Sequence, residues 1–156
     1  RSSGDTGILR QRYCNHAAFN NWLTGGFPVD YSSVIRNELA LHGVRFKEEN
    51  GAFQMTLSSG SRVWRCMLFA AGNNIVCCAQ FPWRTGRAIL TELDSLNGRL
   101  RNGCLFTENG HVVLRFTAEI TDPLSAGEAV MALLHSSGNT VCSCWNKIFS
   151  AAEVVE

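Results

Sequence analysis

From Val44 to Ile120 the chain is written largely in short apolar runs punctuated by turn dipeptides: Asn50-Gly51, Ser59-Gly60, Gly72-Asn73 and Asn109-Gly110. Asn-Gly supplies the positive φ angles of a two-residue hairpin turn, so this spacing predicts an antiparallel meander. Val44 and Phe46 alternate with Arg45 and Lys47, and past the first turn Phe53, Met55 and Leu57 alternate with Gln54 and Thr56. That hairpin has one dry and one wet face. The following pair differs. Residues 63–69 and 75–79 are apolar on both parities, with Val63, Met67 and Phe69 on one side and Trp64, Cys66 and Leu68 on the other. Such strands are central in a sheet and covered on both faces, by helices on one and, in this reading, by another subunit on the other.

The period changes in three places. Tyr31, Val34, Ile35, Leu39 and His42 share a helical face, opened by N-cap candidates between Asp30 and Ser33 and stopped by Gly43. Pro82 is expected to end the fourth strand, and a helix is predicted over 85–100 on the stripe Ile89, Leu93, Leu96 and Leu100. A last hairpin turns at Asn109-Gly110, with Val112, Leu114, Phe116, Ala118 and Ile120 facing in. Asp122-Pro123 breaks it, and Ser125 with Glu128 reads as the capping box of a final helix. That helix carries Val130, Leu133, Leu134, Val141, Trp145, Ile148 and Phe149, with Gly138 as a point of interruption. The order is α-ββββ-α-ββ-α, an α+β domain over 30–153. Residues 1–29, with Tyr13, Phe19, Trp22 and Leu23 but poor helical periodicity, read as an arm, a short packed helix or a tag-derived linker. The opening Arg1-Ser2-Ser3-Gly4 lacks Met and suits a tag remnant or an internal fragment.

Composition narrows the functional classes. The 156 residues are 46% hydrophobic, enough for one core, and the net charge of +1 gives no global field for nucleic acid or an anionic membrane. Charge is uneven: residues 1–101 hold 12 Lys/Arg against 7 Asp/Glu, and residues 102–156 hold 2 against 6. No apolar run approaches the roughly 18 residues of a membrane span, and there is no signal-peptide pattern. The 7 cysteines are odd in number and irregularly spaced, without a C-x-x-C, which suits buried thiols in a reducing cytoplasm.

Candidate chemistry is sparse. His16, His42, His111 and His135 lie on unrelated elements with no ligand spacing, Glu92 and Asp94 diverge on their helix, and glycine-rich phosphate loops are absent. No catalytic residue, cofactor or metal site is assigned, and no enzymatic activity is expected. Trp83 with Arg84, Arg87, Arg99 and Arg101 around the middle helix forms the alternative reading, a single-stranded nucleic-acid site in which aromatic stacking joins charge neutralisation. The basic, aromatic strand of an RNA-recognition sheet is missing.

Residues 81–149 resemble the YbjN-like family, also called bacterial sensory transduction regulators. The carriers are Ala79-Gln80-Phe81-Pro82, the helix end Leu96-Asn97-Gly98-Arg99-Leu100-Arg101-Asn102-Gly103-Cys104-Leu105-Phe106, and the hairpin from Thr107-Glu108-Asn109-Gly110-His111 to Phe116. That family is similar in fold to type III secretion chaperones, which implies a curved antiparallel sheet with helices on one face, commonly dimeric. The implied activity is protein binding without chemistry or cofactor, by strand addition and apolar pockets. Secretion chaperones are distinctly acidic and this chain is near neutral, which favours a regulator or adaptor on the same scaffold. A homodimer or a protein client, engaged through a sheet face or edge, is the expected partner. Trp64 is the expected anchor, with Leu68 and Cys66 on its face and Trp83 as a second anchor.

Overall fold

The computed structural model describes residues 29–152, and its first helix begins at a capping residue. The Asp30 carboxylate accepts from the Ser32 amide at 2.9 Å and opens α1, Tyr31–Leu41. At the other end Gly43 has φ +67°, its amide donates to Ala40 O, and the Val44 amide donates to Leu39 O at 2.9 Å. This is a Schellman stop, in which a left-handed residue lets the last carbonyls be satisfied. It also holds Val44 against the helix end. The following strand, β1, therefore spans only Lys47–Glu49, three residues later than the alternation of Val44 and Phe46 suggests. Val44 and Phe46 instead pack on the core from outside the ladder.

Five further strands follow: β2 (Ala52–Ser59), β3 (Arg62–Ala71), β4 (Asn74–Arg84), β5 (Cys104–Glu108) and β6 (His111–Glu119). They form one six-stranded antiparallel sheet in the order β1-β2-β3-β4-β6-β5. Both Asn-Gly turns have positive φ at both central residues, 52° and 74° at Asn50-Gly51 and 50° and 76° at Asn109-Gly110, as a type I′ hairpin requires. The element order and the α+β class agree with the sequence pattern.

Two boundaries move. The fourth strand does not stop at Pro82 but runs to Arg84. Its pairing with β3 ends at Gln80, and its register with β6 shifts between Gln80 and Arg84. Pro82 thus sits in an irregular stretch where no regular ladder bond needs its missing N–H. The middle helix is correspondingly short. The Thr85 amide donates to Gly110 O at 2.8 Å, tying the segment after β4 to the last hairpin, and α2 spans only Ile89–Asn97.

The last helix is capped differently from expectation. Asp122, not Ser125, caps here: its carboxylate accepts from the Leu124 amide at 3.0 Å and opens a 3-10 turn over Pro123–Ser125. The Ser125 hydroxyl is used on Asp122 O at 2.8 Å. From there α3 runs unbroken from Ala126 to Ala151. Gly138 does not interrupt it. A Cβ at Gly138 would meet Trp64 Cζ2 at 3.5 Å, an ordinary van der Waals contact. Gly138→Ala is therefore expected to raise stability by about 0.5–1 kcal/mol, because alanine restricts the unfolded chain without a clash. A lower denaturation midpoint in the variant would contradict this packing.

All buried apolar residues of α1, α2 and α3 belong to one core cluster, together with Phe53, Trp64, Leu68, Cys77, Phe81 and Leu114 from the sheet. The helices described thus lie on one face. A second cluster of strand residues, including Ala52, Met67, Phe69, Val76, Cys78 and Val113, occupies the opposite face. The two apolar parities of β3 and β4 are these two clusters. Among the described residues no helix is long and apolar enough to cross a membrane.

Candidate protein-binding surface

A protein-binding sheet offers edges, faces and corners, and each is built differently here. The β1 edge is three residues long and entirely charged, Lys47-Glu48-Glu49. Glu48 is held by a two-pronged pair to Arg36 of α1, at 2.6 and 2.9 Å. The guanidinium hydrogen bonds draw the Glu48 carboxyl below its ordinary value. Short, charged edges resist strand addition. The β5 edge is closed by a side chain. The Asn97 amide at the end of α2 donates to Leu105 O at 2.8 Å and accepts from the Leu105 amide at 2.7 Å. Asn97 thus acts as one residue of a missing seventh strand. Both backbone groups of Leu105 that face away from β6 are satisfied, so the edge is closed at Leu105.

The helix-covered face holds three of the four residues expected to anchor a partner. Trp64, Cys66 and Leu68 are 5%, 3% and 0% exposed, beneath the helical layer. Trp64 packs edge-on against Trp145 of α3 with ring centroids 6.4 Å apart. The Cys66 sulfur lies 3.5 Å from the Cys77 sulfur, and that contact together with burial pushes the Cys66 thiol well up. As the strand pattern left open, Trp64 is a core residue. A partner would reach it only by removing α3.

Trp83 lies elsewhere. It sits beyond the irregular stretch of β4, half-buried, where the sheet meets the end of α3. Trp145 and Phe149, one turn apart on α3, frame it at centroid distances of 4.7 and 5.0 Å. Phe81 lies behind at 6.5 Å. These rings form a graded series. Phe81 is fully buried, Trp83 and Trp145 are half-buried, and Phe149 is 52% exposed. Adjacent aromatic rings retain apolar area and a defined geometry at low entropic cost, as a binding hot spot needs. Phe149 was readable from the sequence only as part of the final helix's apolar set. Its position directly after Ile148, and so off the buried stripe, is the signal that separates it.

The four arginines around α2 are all exposed. Arg84 and Arg87 precede the helix and Arg99 and Arg101 follow it. A helix of nine residues separates the two pairs by about 14 Å. Arg84 and Arg87 therefore flank the Trp83 corner in sequence, whereas Arg99 and Arg101 lie at the far end of α2. The second sheet face carries no anchor named from the sequence alone.

No known protein family matches the chain, and no curated protein is similar to it. Among solved structures, the chain is similar to E. coli YbjN, described as "a putative transcription regulator", at 14% identity and a TM-score of 0.55, over 70% of this chain and 84% of that one. At that identity the likeness shows a distant relationship of fold and nothing of activity.

Proposed function

We propose that this chain is a non-enzymatic protein-binding module of adaptor, chaperone-like or regulatory type, working in the cytoplasm, that engages its client at the aromatic corner of Trp83 and Phe149. The observation that carries the reading is the half-exposed Phe149 ring held 5.0 Å from Trp83 and continuous with the buried core. A partner side chain laid there gains apolar contact against rings that the core already holds in place. The distant YbjN fold is compatible with a regulator scaffold. Short charged β1 and the Asn97-sealed β5 argue against strand addition, so the client contact is assigned to the corner rather than an edge. Arg84 and Arg87, exposed and close after Trp83 in sequence, suit a client segment with carboxylates beside its apolar anchor.

The test uses Phe149→Ser, a change at an exposed ring that leaves the core intact. The expected result is about tenfold weaker binding of a client isolated from the source cell, equivalent to about 1.4 kcal/mol, with an unchanged unfolding midpoint. Unaltered affinity would refute the corner as the contact. The nucleic-acid alternative predicts instead that single-stranded oligonucleotides bind with steep salt dependence and lose affinity on Arg84 and Arg87 substitution. Sedimentation of the same samples reads out self-association.

A further inference from the structure

The two hydrogen bonds that close β5 come from an asparagine followed by glycine. Such pairs stand at Asn50, Asn97, Asn102 and Asn109. Asn50-Gly51 and Asn109-Gly110 serve as hairpin turns. Asn97-Gly98 stands instead at the end of α2, where the asparagine amide takes the place of a strand. Asparagine before glycine is prone to deamidation, because glycine has no Cβ to keep its backbone nitrogen away from the asparagine side chain. The Gly98 nitrogen attacks Asn97 Cγ, a C–N bond closes a succinimide ring, and the side-chain nitrogen leaves as ammonia. Water then opens the ring at either carbonyl, giving aspartate or isoaspartate. An amide and a water thus become an acid and ammonia.

In the closed fold the reacting groups are engaged elsewhere. The Gly98 amide donates to Asp94 O at 3.1 Å, and the Asn97 side chain holds Leu105 at 2.7 and 2.8 Å. All of these bonds lie at the last turn of α2, which is weakly fastened. The helix has nine residues, and Ala88 before it makes no side-chain cap bond. Gly98 is right-handed, with φ −63°, so the left-handed stop that ends α1 at Gly43 is missing. Ile89, Leu93 and Leu96 anchor α2 in the core, and all precede Asn97, while Leu100 beyond it is only partly buried. Opening from Asn97 onward breaks a few hydrogen bonds and leaves those anchors in place, a local opening of low free energy.

We propose that Asn97 is a deamidation site and that its conversion opens the β5 edge to a second copy of this chain. Either product loses the N–H that donates to Leu105 O, since a carboxylate only accepts. Aspartate sets an oxygen against that carbonyl, and isoaspartate also lengthens the backbone at the helix end. The released strand, Cys104–Glu108, has five residues with Glu108 as its sole charge, unlike the fully charged β1. A second copy presents the same bared edge, and two such edges pair antiparallel about a twofold axis. The Trp83–Phe149 corner takes no part.

The test ages the full chain in warm, mildly alkaline buffer and separates the products by ion exchange, since each conversion adds a negative charge. Peptide mapping by mass spectrometry locates the converted residue. In sedimentation, molecules converted at Asn97 are expected to self-associate about tenfold more tightly, or more, than unconverted ones or those converted at another Asn-Gly pair. Gly98→Ala is the control. A Cβ there would lie 3.6 Å from Asp94 O and Ser95 O, an ordinary contact, so the seal is kept while ring closure is hindered. Its conversion at Asn97 is expected to fall severalfold, and self-association on ageing with it. Absence of conversion at Asn97 in the aged wild type overturns the proposal, whether or not another pair converts. So does an Asn97-converted fraction that associates no more tightly than the unconverted one, or ageing that drives association equally in Gly98→Ala.

Discussion

Trp64→Ala is expected to destabilise the domain by about 3–5 kcal/mol, the range for truncating a large aromatic in a packed core. Trp64 is 5% exposed and opposes Leu57 across the β2–β3 ladder. Its ring lies against Trp145 and over Gly138. On α3 above it, Gly138 has no side chain to swing into the space left behind. The cavity therefore persists, and persistent cavities give the upper part of the range. The indole nitrogen is buried without a hydrogen-bond partner, so the loss is one of packing and not of a polar bond. Trp64→Phe separates the two contributions. It removes the unpaired donor and keeps a ring, and its cost is expected to be smaller by about 2 kcal/mol. Urea denaturation followed by circular dichroism measures both variants. A loss below about 1 kcal/mol for Trp64→Ala would show that α3 does not seal this position.

Asn97→Ala is expected to cost about 2–3 kcal/mol although the residue is not part of the core. Two short hydrogen bonds to Leu105 disappear, and each such bond is worth about 1 kcal/mol, more when the abandoned backbone groups stay partly shielded. The consequence beyond stability is the edge itself. With its Leu105 groups unpaired, β5 becomes an accessible template, and the variant is expected to self-associate as concentration rises. Asn97→Asp keeps the acceptor for the Leu105 amide but turns a carboxylate oxygen toward the Leu105 carbonyl, so it should not restore stability. Sedimentation velocity across a concentration series, beside the denaturation curves, distinguishes edge opening from simple loosening. A stable, monomeric Asn97→Ala protein would show that water or α2 seals the edge unaided.

Most of the fold is local information. Asn50-Gly51 and Asn109-Gly110 adopt the turn that their φ preferences dictate, and Asp30 and Gly43 begin and end α1 by capping chemistry that spans only a few residues. The stripe of Ile89, Leu93 and Leu96 needs only the helical repeat. These signals act over distances the sequence itself displays, so a single chain suffices to read them. Where local signals compete, the tertiary structure decided. Pro82 is tolerated in β4 because β3 and β6 leave it no regular ladder to interrupt. Asp122 outcompetes Ser125 as a cap because Pro123 opens a 3-10 turn before the helix. Gly138 passes unnoticed because Trp64 and the sheet support α3 along its length.

The candidate site was the least legible part, for a specific physical reason. Period two assigns Trp64 and Phe69 to opposite faces of β3 but cannot say which face receives the helices, since both parities are apolar. Only the packing of α3 made Trp64 core. Likewise Trp83 and Phe149 meet through the crossing of a strand end and a helix end, and nothing in the sequence near either residue records the other. The sequence by itself determined the turns, the caps, the strand parities and the element order. The tertiary structure alone decided which apolar face became interior and which aromatic rings were left at the surface, because those depend on contacts between segments far apart in the chain.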